Sequence, residues 1–169
     1  MIILGIDPAI RVTGYGVIRV SGRTVEILDC GVIKNTQKMP HSECLRRLSG
    51  GIRELLKTFS PEHAVLEDPF LGRNASTAII LGMARGAILA ALADAEVTSF
   101  AYSPMTAKKS AVGLGSATKE QVAMMMSAQL GISVDKIALD ATDALALAMC
   151  HAQKVNQGTQ LADILLKPI

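Results

Sequence analysis

Four carboxylates stand where they could take part in chemistry. Asp7 ends an apolar run at the N-terminus, and Glu67 ends a second, shorter apolar run. Asp140 and Asp143 are three residues apart, so on a helix they share one face. Taken singly, Asp7, Asp140 and Asp143 have ordinary explanations. Asp-Pro often initiates a turn, and an acid in the first turn of a helix stabilises the helix dipole by about 0.3 to 1 kcal/mol.

Brought together by one fold, the four carboxylates would repel one another strongly. Divalent cations that prefer oxygen ligands relieve such repulsion, and two of them about 3.5 to 4 Å apart stabilise the attacking and leaving oxygens in phosphoryl transfer. The histidines and cysteines do not have the spacing of a zinc site, which favours Mg²⁺ or Mn²⁺. The histidines are His41, His63 and His151, and the cysteines are Cys30, Cys44 and Cys150.

Hydrophobic periodicity indicates the elements that must position these acids. Ile- and Val-rich runs predict an antiparallel three-strand meander over residues 1–33, and two later strands end near Glu67 and Tyr102. Apolar residues at helical spacing predict five helices. These cover residues 42–59, 75–93, 104–112, 119–130 and 140–149. Ser116 or Thr118 would cap the fourth helix.

The order of these elements predicts one α/β domain. Its sheet would be mixed and five-stranded, with an antiparallel 1-2-3 meander plus parallel strands, flanked by helices. The 169 residues are 50% hydrophobic but only 3% aromatic, which suits an aliphatic core between helices and a sheet.

The distribution of charge bears on the class of partner. Net charge is only +2, but with the four acids set aside 17 basic residues stand against the remaining 11 acidic ones. A compact acidic site on a basic surface suits an enzyme acting on a polyanion. The three cysteines are odd in number, and no secretory leader is recognisable, so we expect a cytoplasmic protein.

Five separated stretches, in this order, carry a family resemblance. They are Ile3-Leu4-Gly5-Ile6-Asp7-Pro8 with Val12-Thr13-Gly14-Tyr15-Gly16-Val17-Ile18; Glu67-Asp68-Pro69-Phe70 with Asn74-Ala75; Leu81-Gly82-Met83-Ala84-Arg85-Gly86; Lys108 with Val112-Gly113-Leu114-Gly115-Ser116-Ala117-Thr118-Lys119; and Asp140-Ala141-Thr142-Asp143-Ala144-Leu145-Ala146. Together they resemble the RuvC-type Holliday junction resolvases, over about residues 1 to 153.

The resemblance implies an RNase H-like fold, a homodimer, and symmetric Mg²⁺-dependent cleavage of four-way DNA junctions in recombination and repair, with Mn²⁺ able to substitute. It also implies a branch-migration helicase as a partner. The nuclease domain would cover residues 1–153, and the tail, residues 154–169, is expected to be weakly ordered. The catalytic, metal-binding acids implied are Asp7, Glu67, Asp140 and Asp143.

Residues near the acids are candidates for DNA contacts. Phe70 follows Glu67 in a predicted loop, where it either anchors the loop or stacks on a base, a contact worth about 1 to 3 kcal/mol. The resemblance favours stacking at the junction crossover. Lysines beside the Gly-rich turn could hold phosphates, although a solvated surface is the ordinary place for any one lysine. The predicted DNA-binding residues are Phe70, Arg73, Asn74, Lys108 and Lys119; Lys109 has no support from the family pattern.

Two departures from the family pattern bear on the site. Ala9 and Ile10 follow Asp-Pro where the family commonly has Gly, which disfavours a positive φ at that turn. Asp68 stands where a neutral amide is frequent and adds a fifth acid. Neither change removes a metal-binding group, but both affect the first loop or the local affinity for metal.

The stretch Ala75–Ala93 is apolar on nearly all sides and has Arg85 as its one charged residue. An arginine at a bilayer centre would cost about 2.5 to 3.5 kcal/mol, so we expect burial in protein and no membrane contact. Gly82 and Gly86 stand four apart on one face and permit close helix approach. Burial inside the monomer would explain this face; we predict instead a two-fold dimer interface, because symmetric cutting needs two sites.

Two other classes of protein stay open at this point. A sugar-kinase or actin-like ATPase also has an Asp at the end of its first strand, but it needs two lobes to enclose a nucleotide, and Ala9-Ile10 lacks the Gly and hydroxyl that cradle phosphate. A non-catalytic RNase H-like binding module predicts that the acids are dispensable. A junction-cleavage assay with and without Mg²⁺ separates the three classes.

Overall fold

The chain forms a three-strand meander and then alternates helices with strands. The computed structural model describes residues 1–68, 75–131, 137–156 and 167–169. The strands are β1 Ile2–Asp7, β2 Val12–Ser21, β3 Thr24–Lys34, β4 His63–Glu67 and β5 Thr98–Tyr102. The helices are α1 His41–Phe59, α2 Ala75–Asp94, α3 Pro104–Val112, α4 Lys119–Leu130 and α5 Leu139–Asn156.

The five strands form one mixed sheet in the order β3-β2-β1-β4-β5. The β1–β2 and β2–β3 pairs are antiparallel, whereas β1–β4 and β4–β5 are parallel. β1 is the central strand, and its residues Ile3, Leu4 and Ile6 are fully buried. The predicted mixed five-stranded α/β architecture is therefore confirmed.

Helices cover both faces of the sheet. Leu4 and Ile6 of β1 belong to a core shared with α1 and α2. Ile3 belongs to a second core, which Val65 of β4 shares with residues of α3, α4 and α5 such as Leu145. Because side chains alternate along a strand, odd-numbered residues of β1 and β4 face α5 and even-numbered ones face α1 and α2.

α5 lies directly on the backbone of β1 and β2. A Cβ built on Gly5 would stand 2.0 Å from the carbonyl oxygen of Ala144, and one on Gly14 would stand 1.9 Å from that of Asp140. No real Cβ can approach another atom so closely. Glycine at these two positions is therefore what allows the first turns of α5 to touch the strands.

The far end of α5 is fastened by a buried polar network. His151 is fully buried. Its Nε2 lies 2.8 Å from Nδ1 of His63, and the Nδ1 of His151 lies 2.7 Å from the hydroxyl oxygen of Tyr102. Burial, helped by the charges of His63 and Lys154, lowers the pKa of His151 to about 4. The network thus holds a neutral histidine between α5, β4 and β5, and two histidines that are distant in sequence meet.

Helix ends agree with the sequence signals except at the C-terminus. Thr118 caps α4 in a full capping box with Gln121, which decides between the two predicted caps. α5 extends to Asn156, past the predicted domain boundary at 153. Residues 157–166 lie outside the described residues, so the weakly ordered tail stays a prediction. Beyond them, the backbone N–H of Ile169 donates to the carbonyl oxygen of Ser99 in β5 at 2.9 Å.

α2 leaves an apolar face uncovered by the rest of the described chain. By length and composition α2 could cross a membrane, and only 22% of its most apolar 18-residue stretch is buried by the described residues. Ile79 and Met83 are exposed on it, and a Cβ on Gly82 or Gly86 would meet nothing within 4 Å. Burial of the Gly82–Gly86 face inside the monomer is therefore excluded for the residues described.

We predict opposite effects of alanine at two glycines. Gly5→Ala should destabilise the protein by about 2 kcal/mol or more, because its Cβ would overlap the backbone of α5. Gly50→Ala, in α1 where the added methyl meets nothing within 4 Å, should stabilise it by about 0.5 to 1 kcal/mol. Urea denaturation measures both. Equal changes in the free energy of unfolding would show that α5 does not rest on β1 as described.

Candidate active site

Two of the predicted acids leave the sheet side by side. Ile6 of β1 pairs with Leu66 of the parallel strand β4, so Asp7 and Glu67 follow at neighbouring strand ends. Both are odd-numbered residues and so stand on the face that α5 covers. Ligands of α/β proteins commonly bind at such carboxyl ends.

The other two acids come from the first turns of α5. Its start is fixed by the close contact with Gly14, and the Thr142 hydroxyl donates to the carbonyl oxygen of Leu139 at 2.7 Å. Each of three carboxylates, those of Asp7, Asp140 and Asp143, has an oxygen within 4.8 Å of the others.

Glu67 is not part of that close group, but it lines the same cleft. The cleft has a volume of about 160 Å³ and is walled by Asp7, Glu67 and Asp143 together with Lys108 and Lys119. The structure thus brings three of the four predicted acids to within bridging distance of one cation and places the fourth beside them.

The crowding of the acids changes their protonation. Burial, and then the negative charges of Glu67 and Asp143, raises the pKa of Asp7 to about 7, although Lys119 opposes the shift. Burial and the charge of Asp143 also raise the pKa of Glu67. Without a cation, Asp7 is therefore partly protonated at neutral pH. A set of carboxylate oxygens that keeps a proton for this reason fits a hard divalent cation.

Lys119 balances part of this charge. Its ammonium lies 2.7 Å from Oδ2 of Asp143 and 3.2 Å from Oδ1 of Asp140. Burial acts to lower the pKa of Lys119, but the hydrogen bonds and charges of the acids, those of Asp143 first, raise it overall. The lysine predicted to hold DNA phosphate therefore pairs with two of the acids. Lys108 lines the cleft, whereas Lys109 is exposed.

The remaining predicted positions divide into described and undescribed ones. Phe70, Arg73 and Asn74 lie outside the described residues. In the first loop, the backbone N–H of Ala9 donates to the Thr13 hydroxyl oxygen, and that hydroxyl donates to the carbonyl oxygen of Ala9. These two hydrogen bonds close the turn. Positive φ among the described non-glycine residues occurs only at Ser60 and Glu96, so the departure from Gly after Asp-Pro produces no backbone strain there.

Sequence reasoning missed one residue that lies against this site. Arg85 donates from Nη1 to the carbonyl oxygen of Glu67, and its Nη2 lies 3.8 Å from Oδ1 of Asp68. From the sequence, Arg85 belonged to one of the five stretches that carry the family resemblance and argued against a membrane, but it was given no role at the site. The available signal was a single charged residue in an otherwise apolar helix, because a charge that is buried must find polar partners.

Comparison with known proteins identifies the family. The profile of the family described as crossover junction endodeoxyribonuclease RuvC matches residues 3–151. The chain belongs to this family. A RuvC protein of Actinobacillus succinogenes, described as a crossover junction endodeoxyribonuclease, is 43% identical over 161 residues, covering 95% of this chain and 84% of that one. The family resemblance carried by the five motifs is confirmed.

Solved structures agree with this assignment. Thermus thermophilus RuvC, solved in complex with a Holliday junction substrate, superposes with a TM-score of 0.88 at 35% identity and covers 100% of this chain and 99% of its own. The yeast mitochondrial Holliday junction resolvase, at 16% identity and a TM-score of 0.59, covers 96% of this chain and 83% of its own. At that identity it shows the RNase H-like fold alone.

We expect the stability of the metal-free protein to depend on Asp7. Its pKa is higher in the folded state than in the unfolded chain, so its contribution is complete below about pH 4 and is lost as pH rises through about 7. Asp7→Asn removes the ionisable group, so the variant does not lose this stability as pH rises. In EDTA at pH 8 the variant should be more stable than the parent by roughly 1 to 4 kcal/mol, the upper figure corresponding to a pKa moved from 3.8 to about 7.

Urea denaturation at pH 5 and pH 8 checks this expectation. Most of the difference between variant and parent should disappear at pH 5, where Asp7 of the folded parent is already protonated. A variant that is less stable than the parent at pH 8 would show that the carboxylates do not repel one another as described.

Proposed function

We propose that this protein is a structure-selective endonuclease that resolves four-way DNA junctions in recombination and repair by symmetric, metal-dependent phosphodiester hydrolysis. The observation that carries the proposal is the group of carboxylates at strand and helix ends, within 4.8 Å of one another, in a chain of the RuvC family. The junction bound by the Thermus thermophilus relative supports the same class of substrate here.

We propose Mg²⁺ as the metal, with Mn²⁺ able to substitute. The donors are carboxylate oxygens, which these ions prefer, and burial, followed by the negative charges of Glu67 and Asp143, raises the pKa of Asp7, an effect that a bound cation would oppose. The residues that would hold the metal are Asp7, Glu67, Asp140 and Asp143. When bound, such ions activate water and stabilise the leaving oxygen. Lys108 and Lys119, on the walls of the same cleft, would hold the DNA phosphates.

Residues that follow Glu67 in the sequence supply the proposed contacts to the crossover. By resemblance to the family, Phe70 stacks on a base there. Arg73 and Asn74, close to Phe70 in the sequence, are proposed to contact DNA as well. Their position in the chain supports this, because they directly follow a strand end that carries one of the acids.

We propose that the protein is a homodimer that uses the uncovered face of α2. Ile79 and Met83 expose apolar surface there, and Gly82 and Gly86 leave open space into which a second helix could fit closely. A membrane is a poorer explanation, because the Arg85 guanidinium of this helix reaches the strand end of Glu67. A two-fold pair would give the two sites that symmetric cutting needs.

We also propose a cytoplasmic location and a branch-migration helicase partner. Cys30, Cys44 and Cys150 are free thiols, which suits a reducing compartment. The helicase partner rests on family resemblance alone.

Neutral replacements of the acids test the proposed reaction. Asp7→Asn, Glu67→Gln and Asp140→Asn should each slow cleavage of a synthetic four-way junction by about a hundredfold or more, because a lost ligand costs several kcal/mol of transition-state stabilisation. Asp143→Asn should do so as well, unless Asp143 serves mainly the start of α5. Junction affinity in EDTA should be unchanged or higher, since the acids repel phosphate.

Glu26→Gln is the matched control, because Glu26 is exposed and pairs with Arg19 at the surface. It should cleave at the parental rate. Near-parental cleavage by Glu67→Gln would refute the metal-site assignment. A parent that binds junctions but leaves them uncut in Mg²⁺ and in Mn²⁺ would instead favour the non-catalytic binding module.

Gly82→Leu tests the dimer. A Cβ on Gly82 meets nothing within 4 Å in the described chain, so we expect the melting temperature of the monomer not to fall, but the leucine side chain would occupy the space proposed for a second helix. Light scattering at micromolar concentration should show a dimeric parent and a variant shifted towards monomer. A monomeric parent that still cuts junctions symmetrically under these conditions would contradict the proposed interface.

A further inference from the structure

Arg85 is a buried charge for which the packing of α2 gives no reason. Its side chain is only 13% exposed, and its neighbours along α2 on the covered side are Ala84 and Ile88, both fully buried. Burying a guanidinium is costly unless its donors are used. An apolar residue would fill the same position at lower cost, so the reason for the arginine lies in what it binds.

The partners of Arg85 lie at the end of β4. Nη1 donates to the backbone carbonyl oxygen of Glu67, and Nη2 lies 3.8 Å from the carboxylate of Asp68. Arg85 also lines a cavity of about 60 Å³, together with Asp7 and Glu67. The arginine thus lies against the acidic site from the side of α2.

The carbonyl that Arg85 binds belongs to a peptide unit held on both sides. The oxygen of Glu67 and the N–H of Asp68 are the two polar groups of one planar peptide. Arg85 binds the oxygen, and the N–H donates to the carbonyl oxygen of Tyr102 in β5 at 2.8 Å. With both groups bound, this peptide plane cannot rotate freely, which fixes the direction in which the chain leaves β4 at Glu67.

We propose that Arg85 is a positioning residue that acts through the Glu67–Asp68 peptide to hold the Glu67 carboxylate in place for metal binding. The proposal rests on the proposed function of Glu67 as a metal ligand. Groups that orient metal ligands typically change metal affinity or activity by about 10- to 100-fold when they are removed.

A positioning role and a purely electrostatic role of Arg85 predict different changes in metal affinity when Arg85 is replaced. If Arg85 acted only as a positive charge beside the acids, Arg85→Met would tighten the binding of a cation and Arg85→Lys would change nothing. A positioning residue gives another pattern. Lysine keeps the charge but has a single nitrogen, which cannot take the places of both Nη1 on the carbonyl oxygen of Glu67 and Nη2 beside Asp68, so Arg85→Lys should weaken metal binding.

Direct titration with Mn²⁺, followed by the EPR signal of the free ion, measures this without relying on cleavage. Arg85→Lys should raise the Kd for Mn²⁺ about tenfold, and Arg85→Met should not lower it. Arg53→Lys is the matched control. Arg53 lies in α1, where it donates a hydrogen bond to Ser49, and it pairs with Asp94 at the end of α2. This variant should bind Mn²⁺ as the parent does. Circular dichroism checks that each variant is folded, and if Arg85→Met is not, Arg85→Lys carries the test.

A double-mutant cycle with Glu67→Gln then tests the route of the effect. If Arg85 acts through Glu67, adding Arg85→Lys to Glu67→Gln should change the Kd for Mn²⁺ no further. Parental affinity in Arg85→Lys, or an equal loss in both backgrounds, would overturn the proposal for Arg85 while leaving the metal site in place. Unchanged Mn²⁺ binding in Glu67→Gln itself would overturn the assignment of Glu67 on which the proposal rests.

Discussion

The contact between α5 and the glycine backbones of β1 and β2 is the constraint on which the candidate site depends. Asp7 is fixed to the sheet, whereas Asp140 and Asp143 belong to a helix distant in sequence. They meet because Gly5 and Gly14 let the carbonyl oxygens of α5 approach the strands to a distance that no side chain would allow. Any group added there would move α5 outward, and the two acids with it. The geometry of the acids is therefore set by the packing of α5 against the backbones of β1 and β2.

That packing holds together groups that repel one another. The raised pKa values of Asp7 and Glu67 show that burial and mutual repulsion disfavour their charged forms. Two features offset the repulsion in the metal-free chain. Lys119 pairs with Asp140 and Asp143, and these acids also stand near the positive end of the α5 dipole. The dipole role considered for them from sequence and the metal-binding role are compatible, because both use the same negative charge.

The sequence predicted the elements and the strand-end acids because those signals are local. An apolar run that stops at Asp7 or Glu67 marks a buried strand and its end, and the Thr118–Gln121 spacing marks a helix start. The pairing of Lys119 with Asp140 could not be predicted, because it depends on how α4 and α5 approach each other in space. The meeting of His63 with His151 was missed for the same reason, since 88 residues separate them.

The extent of α5 and the role of α2 were also beyond local signals. The last turns of α5 continue because His151 is buried against β4 and β5, a tertiary contact that composition does not reveal. In α2 the apolar composition concealed two different surroundings on one helix. The Gly82–Gly86 face is open, while Arg85, between those glycines in sequence, turns towards the end of β4. A second copy bound to the open face would therefore contact the same helix from which Arg85 reaches the strand end of Glu67.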